Sequence, residues 1–246
     1  MSRQELCFGK KQETKSKNRR STRSLKMKKH EHIVKSLMPG GIGEELGIEP
    51  GDKLLAINGN EIQDVFDYYY YEESEQLLLL IEKPDGEEWE LEIEKDEDES
   101  LGIEFDQSLM DEYRSCRNKC MFCFIDQMPK GMRETLYFKD DDSRLSFLQG
   151  NYITLTNMSD HDVERIVKYR LEPINISFQT TNPELRCKML HNRFAGEALK
   201  KVDILYRGQI EMNGQIVLCK GVNDGEELER TIRDLTGYLP YLKSVC

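Results

Sequence analysis

The sequence predicts an α/β protein in two parts, a small α+β domain followed by a parallel α/β domain. Residues 31–98 alternate short apolar strands with glycine turns, whereas residues 151–246 alternate strands with amphipathic helices. A group of three cysteines lies between the two patterns. Strands that alternate with helices favour a parallel sheet, with functional residues at the carboxyl ends of its strands. We therefore place one domain at 31–98 and a second at 99–246.

The first 30 residues differ in composition from the rest of the chain. They carry eleven Lys and Arg against two Glu, a net charge of +9, so residues 31–246 carry −20 of the formal total of −11. The segment has almost no apolar content, which predicts a disordered basic tail over residues 1–30 rather than a nucleic-acid-binding arm. Residues 1–26 are expected to be dispensable. The acidic body argues against nucleic acid as a partner.

Composition also predicts a cytoplasmic protein without a membrane anchor. No apolar run approaches the roughly 20 residues of a membrane span, and QLLLLI at 76–81 has only the length of a strand. The first 30 residues lack the apolar core of a secretory signal. In a reducing compartment, seven cysteines indicate metal binding or catalysis rather than disulfides.

Residues 31–98 predict a small sheet with two helices. IVKSL is a strand, EELGIEPGD a short helix ended by glycine, and KLLAI a second strand before an NG turn. Residues 62–73 suit a helix, although the four tyrosines at 68–71 cannot share one of its faces. QLLLLIEK and EEWELEIE predict a hairpin, because Trp89, Leu91 and Ile93 alternate with glutamates.

The second domain predicts repeated strand-helix units. NYITLTN, NISFQTT and GQIVLCK are predicted strands, each followed by a helix, and Ser159 is the predicted cap of the first helix. The other two helices are expected from about residues 183 and 225. Polar residues after the parallel strands should converge on one edge.

Three cysteines, Cys116, Cys120 and Cys123, have the spacing C-x₃-C-x₂-C within eight residues. Their density and the charged residues around them favour metal binding over packing. A zinc site would need a fourth ligand, and the candidates lie far along the chain without companion spacing: Cys187, Cys219, Cys246, His161 and His191. Three thiolates on a [4Fe–4S] cluster would leave one iron free to bind a small molecule.

The stretch PGGIGEELGIEPGDKLLAINGNEI resembles the PDZ domains of bacterial proteins. The resemblance implies that residues 31–98 bind an extended peptide or protein partner as an added strand, beside the IVKSL strand and the 62–73 helix. LGIEF, residues 101–105, is either a glycine loop that receives a peptide carboxylate in a permuted arrangement or a strand leading into the next domain. The second interpretation is slightly favoured.

The cysteine spacing, with Phe122 before the last cysteine, resembles the radical S-adenosylmethionine enzymes. More narrowly, three stretches resemble a bacterial family that joins a PDZ domain to a radical S-adenosylmethionine domain: CRNKCMFCFIDQMPKGMRETLYFKDDDSRLSFLQGNYITLTN, NPELRCKMLHN and QIVLCKGVNDGEELERTIRDL. The resemblance implies a partial (β/α)₆ barrel over residues 99–246. The chain stops after about four of six strand-helix units, so we expect an incomplete, C-terminally truncated barrel that is poor at radical chemistry.

The same resemblance implies the cofactors, a [4Fe–4S] cluster on Cys116, Cys120 and Cys123 and S-adenosyl-L-methionine on the open iron. A reduced cluster, supplied with electrons by a flavodoxin or ferredoxin, cleaves S-adenosylmethionine to a 5′-deoxyadenosyl radical that attacks an unidentified substrate. Family members hold the methionine amine with a polar stretch, often Gly-Gly-Glu. TLTN stands in its place, which makes Thr156 and Asn157 the candidates.

Three further residues are candidates for contacts to the ribose or carboxylate of S-adenosylmethionine: Gln179, Thr180 and Arg186. Ordinary capping and ion pairing explain these three equally well. Asp140, Asp141 and Asp142 predict a solvated turn, because their order is not that of a calcium loop. Asp224 is predicted to cap the following helix. Cys187 and Cys219 are predicted to be single buried thiols.

The sequence leaves two other functions open. The iron–sulfur centre could serve electron transfer without radical chemistry, or the chain could be a PDZ adaptor with a non-catalytic scaffold. Detection of 5′-deoxyadenosine would favour the enzyme, and peptide binding that survives loss of all three cysteines would favour the adaptor.

Overall fold

A computed structural model describes residues 31–246. The predicted basic tail, residues 1–30, lies outside the described residues. The chain divides after Glu112 into two compact units, which are described separately.

An antiparallel sheet of six strands forms the first unit. Its strands are β1 (His32–Leu37), β2 (Lys53–Ile57), β3 (Asn60–Glu61), β4 (Gln76–Glu82), β5 (Glu88–Glu94) and β6 (Ile103–Phe105). Their order is β5-β4-β2-β1-β6, with β3 paired to β2. The helices are α1 (Ile42–Glu45) and α2 (Val65–Glu72). The predicted strands and the predicted 62–73 helix are confirmed. The short helix predicted over EELGIEPGD is displaced, because α1 already ends at Glu45.

The β4–β5 hairpin follows the alternation seen in its sequence. Leu79 lies opposite Leu91 and Ile81 lies opposite Trp89 in the antiparallel register. Leu79 and Ile81 are fully buried, so the apolar face is the one that packs. On α2 the tyrosines divide as expected, because Tyr68 is buried whereas the two that follow it are exposed.

The strand predicted to receive a peptide is not at an edge of the sheet. β1 pairs with β2 on one side and with β6 on the other, so the prediction that a peptide is added beside IVKSL is wrong. LGIEF contributes β6 to the first unit, which also contradicts its interpretation as a strand leading into the second domain. The edge beside β1 is occupied by β6, and β6 itself is the terminal strand.

Helices and parallel strands form the second unit. Its helices are α3 (Ser143–Gln149), α4 (Asp160–Tyr169), α5 (Pro183–Leu190), α6 (Lys200–Arg207) and α7 (Glu226–Thr236). The strands β7 (Ile174–Ser177), β8 (Met212–Gln215) and β9 (Leu242–Val245) form a parallel sheet in that order. The predicted cap on α4 is confirmed, since Ser159 and Asp162 form a capping box.

The described residues show a mixed α/β unit but not a partial barrel. The predicted strand NYITLTN contributes one parallel bridge, between Ile153 and Ile176. Beyond it Leu155 has a positive φ, and the N–H of Thr154 donates to Asp141 instead of a ladder partner. β8 lies earlier than GQIVLCK suggested, because the N–H of Val217 donates to a side chain and leaves the ladder.

The core of the second unit lies between the sheet and the helices. It is formed by buried side chains of the strands, α4 and α6, among them Ile153, Val163, Ile166, Ile174, Ile176, Phe178, Val202, Leu205 and Met212. Along the described chain, no helix combines the length and apolar character that a membrane span requires.

Candidate functional site

Cys116, Cys120 and Cys123 are half buried and free of disulfides. Burial raises the pKa of Cys120 to about 12, and the charges of Cys116 and Cys123 act in the same direction. Cys120 therefore lies close enough to Cys116 and Cys123 to interact electrostatically with both.

The donor set fits an iron–sulfur cluster in its chemistry, since three free thiols share one half-buried segment. Within residues 31–246, however, no three Cys, His, Asp or Glu side chains are arranged as a ready metal-binding group. The three thiols therefore supply suitable ligands whose side chains would have to turn toward a common centre.

Backbone hydrogen bonds fix the cysteine segment, residues 114–142, to the end of α5. The N–H of Lys119 donates to the carbonyl of Leu190 (3.0 Å), and the N–H of Met121 donates to that of Met189 (2.9 Å). Cys120 and its neighbour Phe122 pack beside an apolar group that also includes Ala195, Cys187 and Cys219. The segment thus takes its position from a distant helix. Cys187 and Cys219 are half buried, less enclosed than the sequence predicted.

Lys139 is a basic residue of this site that the sequence did not single out. Its ammonium donates to the carbonyl of Asn118 (3.1 Å) and pairs with Asp126 (3.0 Å), and its own carbonyl accepts from the N–H of Cys116 (2.7 Å). Burial acts to lower the pKa of Lys139, but Asp126, Cys123 and Cys116 outweigh it and raise that pKa. A positive charge therefore lies beside two of the thiols. The sequence gives no signal for it, because Lys139 is far from both cysteines along the chain.

A partly buried polar network connects the cysteine segment to TLTN, with Asn118 and Asp141 as its buried members. The amide nitrogen of Asn118, which lies between the first two cysteines, is 3.0 Å from the hydroxyls of both Thr154 and Thr156. Asp141 accepts from the N–H (2.7 Å) and the hydroxyl (2.6 Å) of Thr154. Burial raises the pKa of Asp141, although these hydrogen bonds oppose the shift. The amide of Asn192 completes the network at 2.7 Å from Asn118.

The prediction of a solvated turn is wrong for Asp141 and Asp142, which are almost fully buried. Asp142 caps α3 and forms an ion pair of 2.7 Å with the buried guanidinium of Arg144. These internal partners offset the cost of burying carboxylates. Asp140 alone of the three is exposed.

Thr156 and Asn157 lie beside the cysteine segment. The hydroxyl of Thr156 donates to Asn118 (3.2 Å), and the amide of Asn157 donates to the carbonyl of Ser115 (3.0 Å). Both residues are half buried. The structure therefore brings these two candidates to the cysteines.

Gln179 and Thr180 make their contacts elsewhere, in the region after β8. The side-chain oxygen of Gln179 accepts from the N–H of Val217 (2.6 Å), and its carbonyl accepts from Asn223 (2.7 Å). The hydroxyl of Thr180 donates to Glu227 on α7 (3.4 Å). Both residues are buried, and their expected contact with a cofactor stays a prediction.

Asp224 does not cap α7, contrary to the sequence prediction. The N-cap residue is Gly225, which has no side chain to accept a hydrogen bond. Asp224 instead accepts from the N–H of Gly221 (2.9 Å), so it closes the turn that precedes the helix.

Arg186 is fully buried and holds the ends of two strand segments together. Its guanidinium donates to the carbonyls of Thr154 (2.9 Å), Ser177 (2.8 Å) and Phe178 (2.9 Å), and also to that of Ala195. Burial lowers the pKa of Arg186 to about 10. These acceptors occupy the guanidinium, and its predicted contact with a cofactor stays a prediction.

The first unit contains a cavity of about 300 Å³ between α2 and β6. Aromatic and aliphatic side chains form much of its lining, including Val65, Tyr68, Tyr69, Ile103, Phe105 and Met110. The Tyr68 and Phe105 rings meet edge to face with centroids 5.1 Å apart. The cavity thus runs along the terminal strand of the sheet, with a helix as its opposite wall.

Comparisons with known proteins identify both units. A family model described as a Radical SAM-like domain matches residues 95–245, and a PDZ domain model matches residues 33–83. A comparison with curated proteins finds no match. Because the first model covers more than half of the chain, the protein belongs to the radical S-adenosylmethionine-like family, with a PDZ domain ahead of that domain.

Proposed function

We propose that the second unit holds a [4Fe–4S] cluster through Cys116, Cys120 and Cys123 and uses it to cleave S-adenosylmethionine reductively. The observation that carries this proposal is the group of three free, half-buried thiols within a matched Radical SAM-like domain. When bound, the cluster supplies the single electron that the cleavage requires. A flavodoxin or ferredoxin would donate that electron, and the cytoplasm would keep the thiols reduced.

Residues around the thiols are suited to stabilise an anionic group. The ammonium of Lys139 acts electrostatically on Cys116 and Cys123, so it would offset negative charge at the thiolates. Asn118 fixes the backbone between the ligands through its hydrogen bonds to Thr154 and Thr156. The apolar group beside Cys120 would limit the access of water on that side.

We assign the contacts to S-adenosylmethionine first to Thr156 and Asn157, because these two lie beside the cysteine segment. Gln179, Thr180 and Arg186 would act mainly by positioning. Their polar groups already hold the chain ends after β7 and β8. In this proposal they keep the edge of the sheet in place while TLTN contacts the ligand.

The PDZ domain adds a binding module for an extended polypeptide. β6 is the terminal strand and borders the cavity along α2, which is the arrangement that strand addition needs. We therefore move the proposed peptide site from β1 to the groove between β6 and α2.

The experiment begins with the full chain, purified and reconstituted without oxygen. We expect about four irons per chain and, after reduction with dithionite, formation of 5′-deoxyadenosine from S-adenosylmethionine. Cys116→Ala, Cys120→Ala and Cys123→Ala should each abolish iron retention. Cys187→Ala is the matched control, because this thiol is also half buried and packs in the same apolar group as Cys120.

Two results would contradict the proposal. Loss of iron in the Cys187→Ala variant with retention in one of the other three would overturn the ligand assignment. A chain that retains iron and shows a normal reduced-cluster spectrum, but leaves S-adenosylmethionine intact, would favour electron transfer instead.

A further inference from the structure

Glu72, at the end of α2, places its carboxylate against the loop of residues 100–102 that precedes β6. Its Oε1 atom accepts hydrogen bonds from the N–H of Leu101 (2.7 Å) and from the hydroxyls of Ser100 (3.0 Å) and Tyr68 (3.0 Å). Burial and the neighbouring Glu72 raise the pKa of Tyr68, so its hydroxyl remains a donor at neutral pH. Three donors thus converge on one oxygen of a side chain from the same domain.

These donors lie next to the groove between α2 and β6. Tyr68 lines the groove, and Ile103, two residues after Leu101, lines it from the opposite side. A peptide could bind as an added strand beside β6 with its carboxyl terminus near Leu101. Its terminal carboxylate would then need backbone N–H groups as hydrogen-bond donors. The N–H of Leu101 is the group that Glu72 already occupies.

The next backbone donor of the loop is also engaged. The N–H of Gly102 donates to the hydroxyl of Ser100 at 3.1 Å. Gly102 has a positive φ of 70°, and a Cβ atom there would lie 2.9 Å from the Cβ of Met38. The loop is therefore packed closely in this conformation, and a second carboxylate brought to it would meet the negative charge of Glu72.

Glu72 also retains an acceptor that its contacts do not use. Within residues 31–246, no hydrogen bond to its Oε2 atom is found, and the side chain is only half buried. A lysine or arginine side chain of a bound segment would complement this oxygen through a charge-assisted hydrogen bond. Charge complementarity at Glu72, which lies next to the groove through its hydrogen bond to Tyr68, thus favours a cation at this position.

We propose that this groove binds an internal extended segment of a partner protein, with a basic residue beside Glu72, rather than a carboxyl-terminal chain end. The inference rests on the proposed peptide-binding function of the first unit. Glu72 takes the place that a terminal carboxylate would occupy, while the edge of β6 and the apolar lining remain for the segment itself.

The test compares two display libraries of random heptapeptides against the full chain. One library ends in a free carboxyl terminus, and the other holds the heptapeptides between two flanking sequences. The best binder is then synthesised with a terminal carboxylate and with a terminal amide. Affinities are measured by fluorescence anisotropy for the unmodified protein, Glu72→Ala, Glu72→Gln and Glu73→Ala.

We expect the internal library to be enriched in basic residues and the amide to bind at least as tightly as the acid. Glu72→Ala should free the N–H of Leu101 and improve binding of the acid about tenfold relative to the amide, a change of about 1.4 kcal/mol. Glu72→Gln keeps an acceptor for that N–H but removes the charge, so it should lose the preference for basic residues. Glu73 is exposed, and within residues 31–246 its side chain makes no hydrogen bond or ion pair, so Glu73→Ala should behave as the unmodified protein.

Enrichment confined to free carboxyl termini, with the acid bound more than about tenfold tighter than the amide, would overturn the inference and leave the peptide-binding function intact. Enrichment from neither library would overturn that function itself. Thermal unfolding followed by Trp89 fluorescence checks that each variant keeps the folded first unit, since Trp89 lies in β5. If Glu72→Ala fails to fold, the Glu72→Gln comparison decides the charge preference.

Discussion

The β4–β5 hairpin and the cysteine segment, residues 114–142, depend on different interactions. The hairpin pairs seven residues of one strand with seven of the other and buries its alternating apolar side chains. The described segment 114–142 has neither an α-helix nor a multi-residue strand, and it leaves Phe124 75% exposed. Its position comes from hydrogen bonds to residues far along the chain, such as those from Asn118 to Thr154 and Thr156.

This difference shows which parts of the protein a local pattern can predict. Apolar burial repeats along the hairpin with the period of a strand, so the sequence contains the signal. The cysteine segment is held by individual polar contacts, which have no period. Substitutions should therefore act through lost packing in the hairpin and through unpaired polar groups around the cysteines.

The largest effect is expected where polar contacts are most deeply buried. Arg186→Ala would leave four backbone carbonyls without their donor, so we expect the second unit to lose about 3–5 kcal/mol of unfolding free energy. Urea unfolding followed by far-UV circular dichroism measures this loss, and Arg186→Lys should recover only part of it. A change below about 1 kcal/mol would show that packing, not these hydrogen bonds, holds the strand ends together.

Apolar truncation separates the two regions directly. Leu79→Ala in β4 should cost about 2–5 kcal/mol, because Leu79 is fully buried and a cavity would remain. Met121→Ala in the cysteine segment should change stability by less than about 0.5 kcal/mol, since Met121 is half exposed. Trp89 fluorescence follows the unfolding of the first unit, in which Trp89 lies. Far-UV circular dichroism follows the unfolding of the second unit. Similar losses in both variants would contradict the comparison.

Loss of the polar network should affect the cysteine segment more than a comparable exposed change. Asn118→Ala would remove the buried amide that binds the half-buried hydroxyls of Thr154 and Thr156. It would also remove the acceptor of the Asn192 amide, at an expected total cost of about 1–3 kcal/mol. We also expect lower iron retention after anaerobic reconstitution. Asn151→Ala is the control, because the side-chain amide of Asn151 donates to the exposed Asp140. Equal iron content in both variants would show that Asn118 does not position the ligands.

The smallest effect is a pH dependence at the start of α4. Burial acts to raise the pKa of Asp162, but hydrogen bonds from Ser159 and the charge of Arg114 outweigh it and lower that pKa. A lowered folded-state pKa stabilises the protein above the unfolded value of about 4, and this contribution disappears as the pH falls through the folded value. Asp162→Asn should therefore cost about 1 kcal/mol at pH 7 and less in acid.

Urea midpoints measured at neutral and acidic pH test this sign. Asp160→Asn is the matched control, since Asp160 lies in the same helical turn but is exposed. A penalty for Asp162→Asn that stays constant on acidification would show that the charge of Asp162 is not the source of the stabilisation.

Much of the fold could be predicted from local signals. The β4–β5 hairpin, α2 and the Ser159 cap all lie where alternation, helical spacing and a capping residue indicated. The cysteines could be identified as a site from their spacing alone. NYITLTN failed as a strand because Thr154 directs its N–H to a side chain thirteen residues earlier in the sequence, a contact that no propensity describes.

The sequence by itself determined the kinds of element and the three thiols, because periodicity and spacing depend on residues that are near one another along the chain. Only the tertiary structure decided that β6 covers β1, that Lys139 lies beside the thiols and that Glu72 occupies the loop before β6. Each of these depends on pairing between distant segments. Such pairing is selected by the free energy of the whole fold, through burial and hydrogen bonding, and not by any local preference.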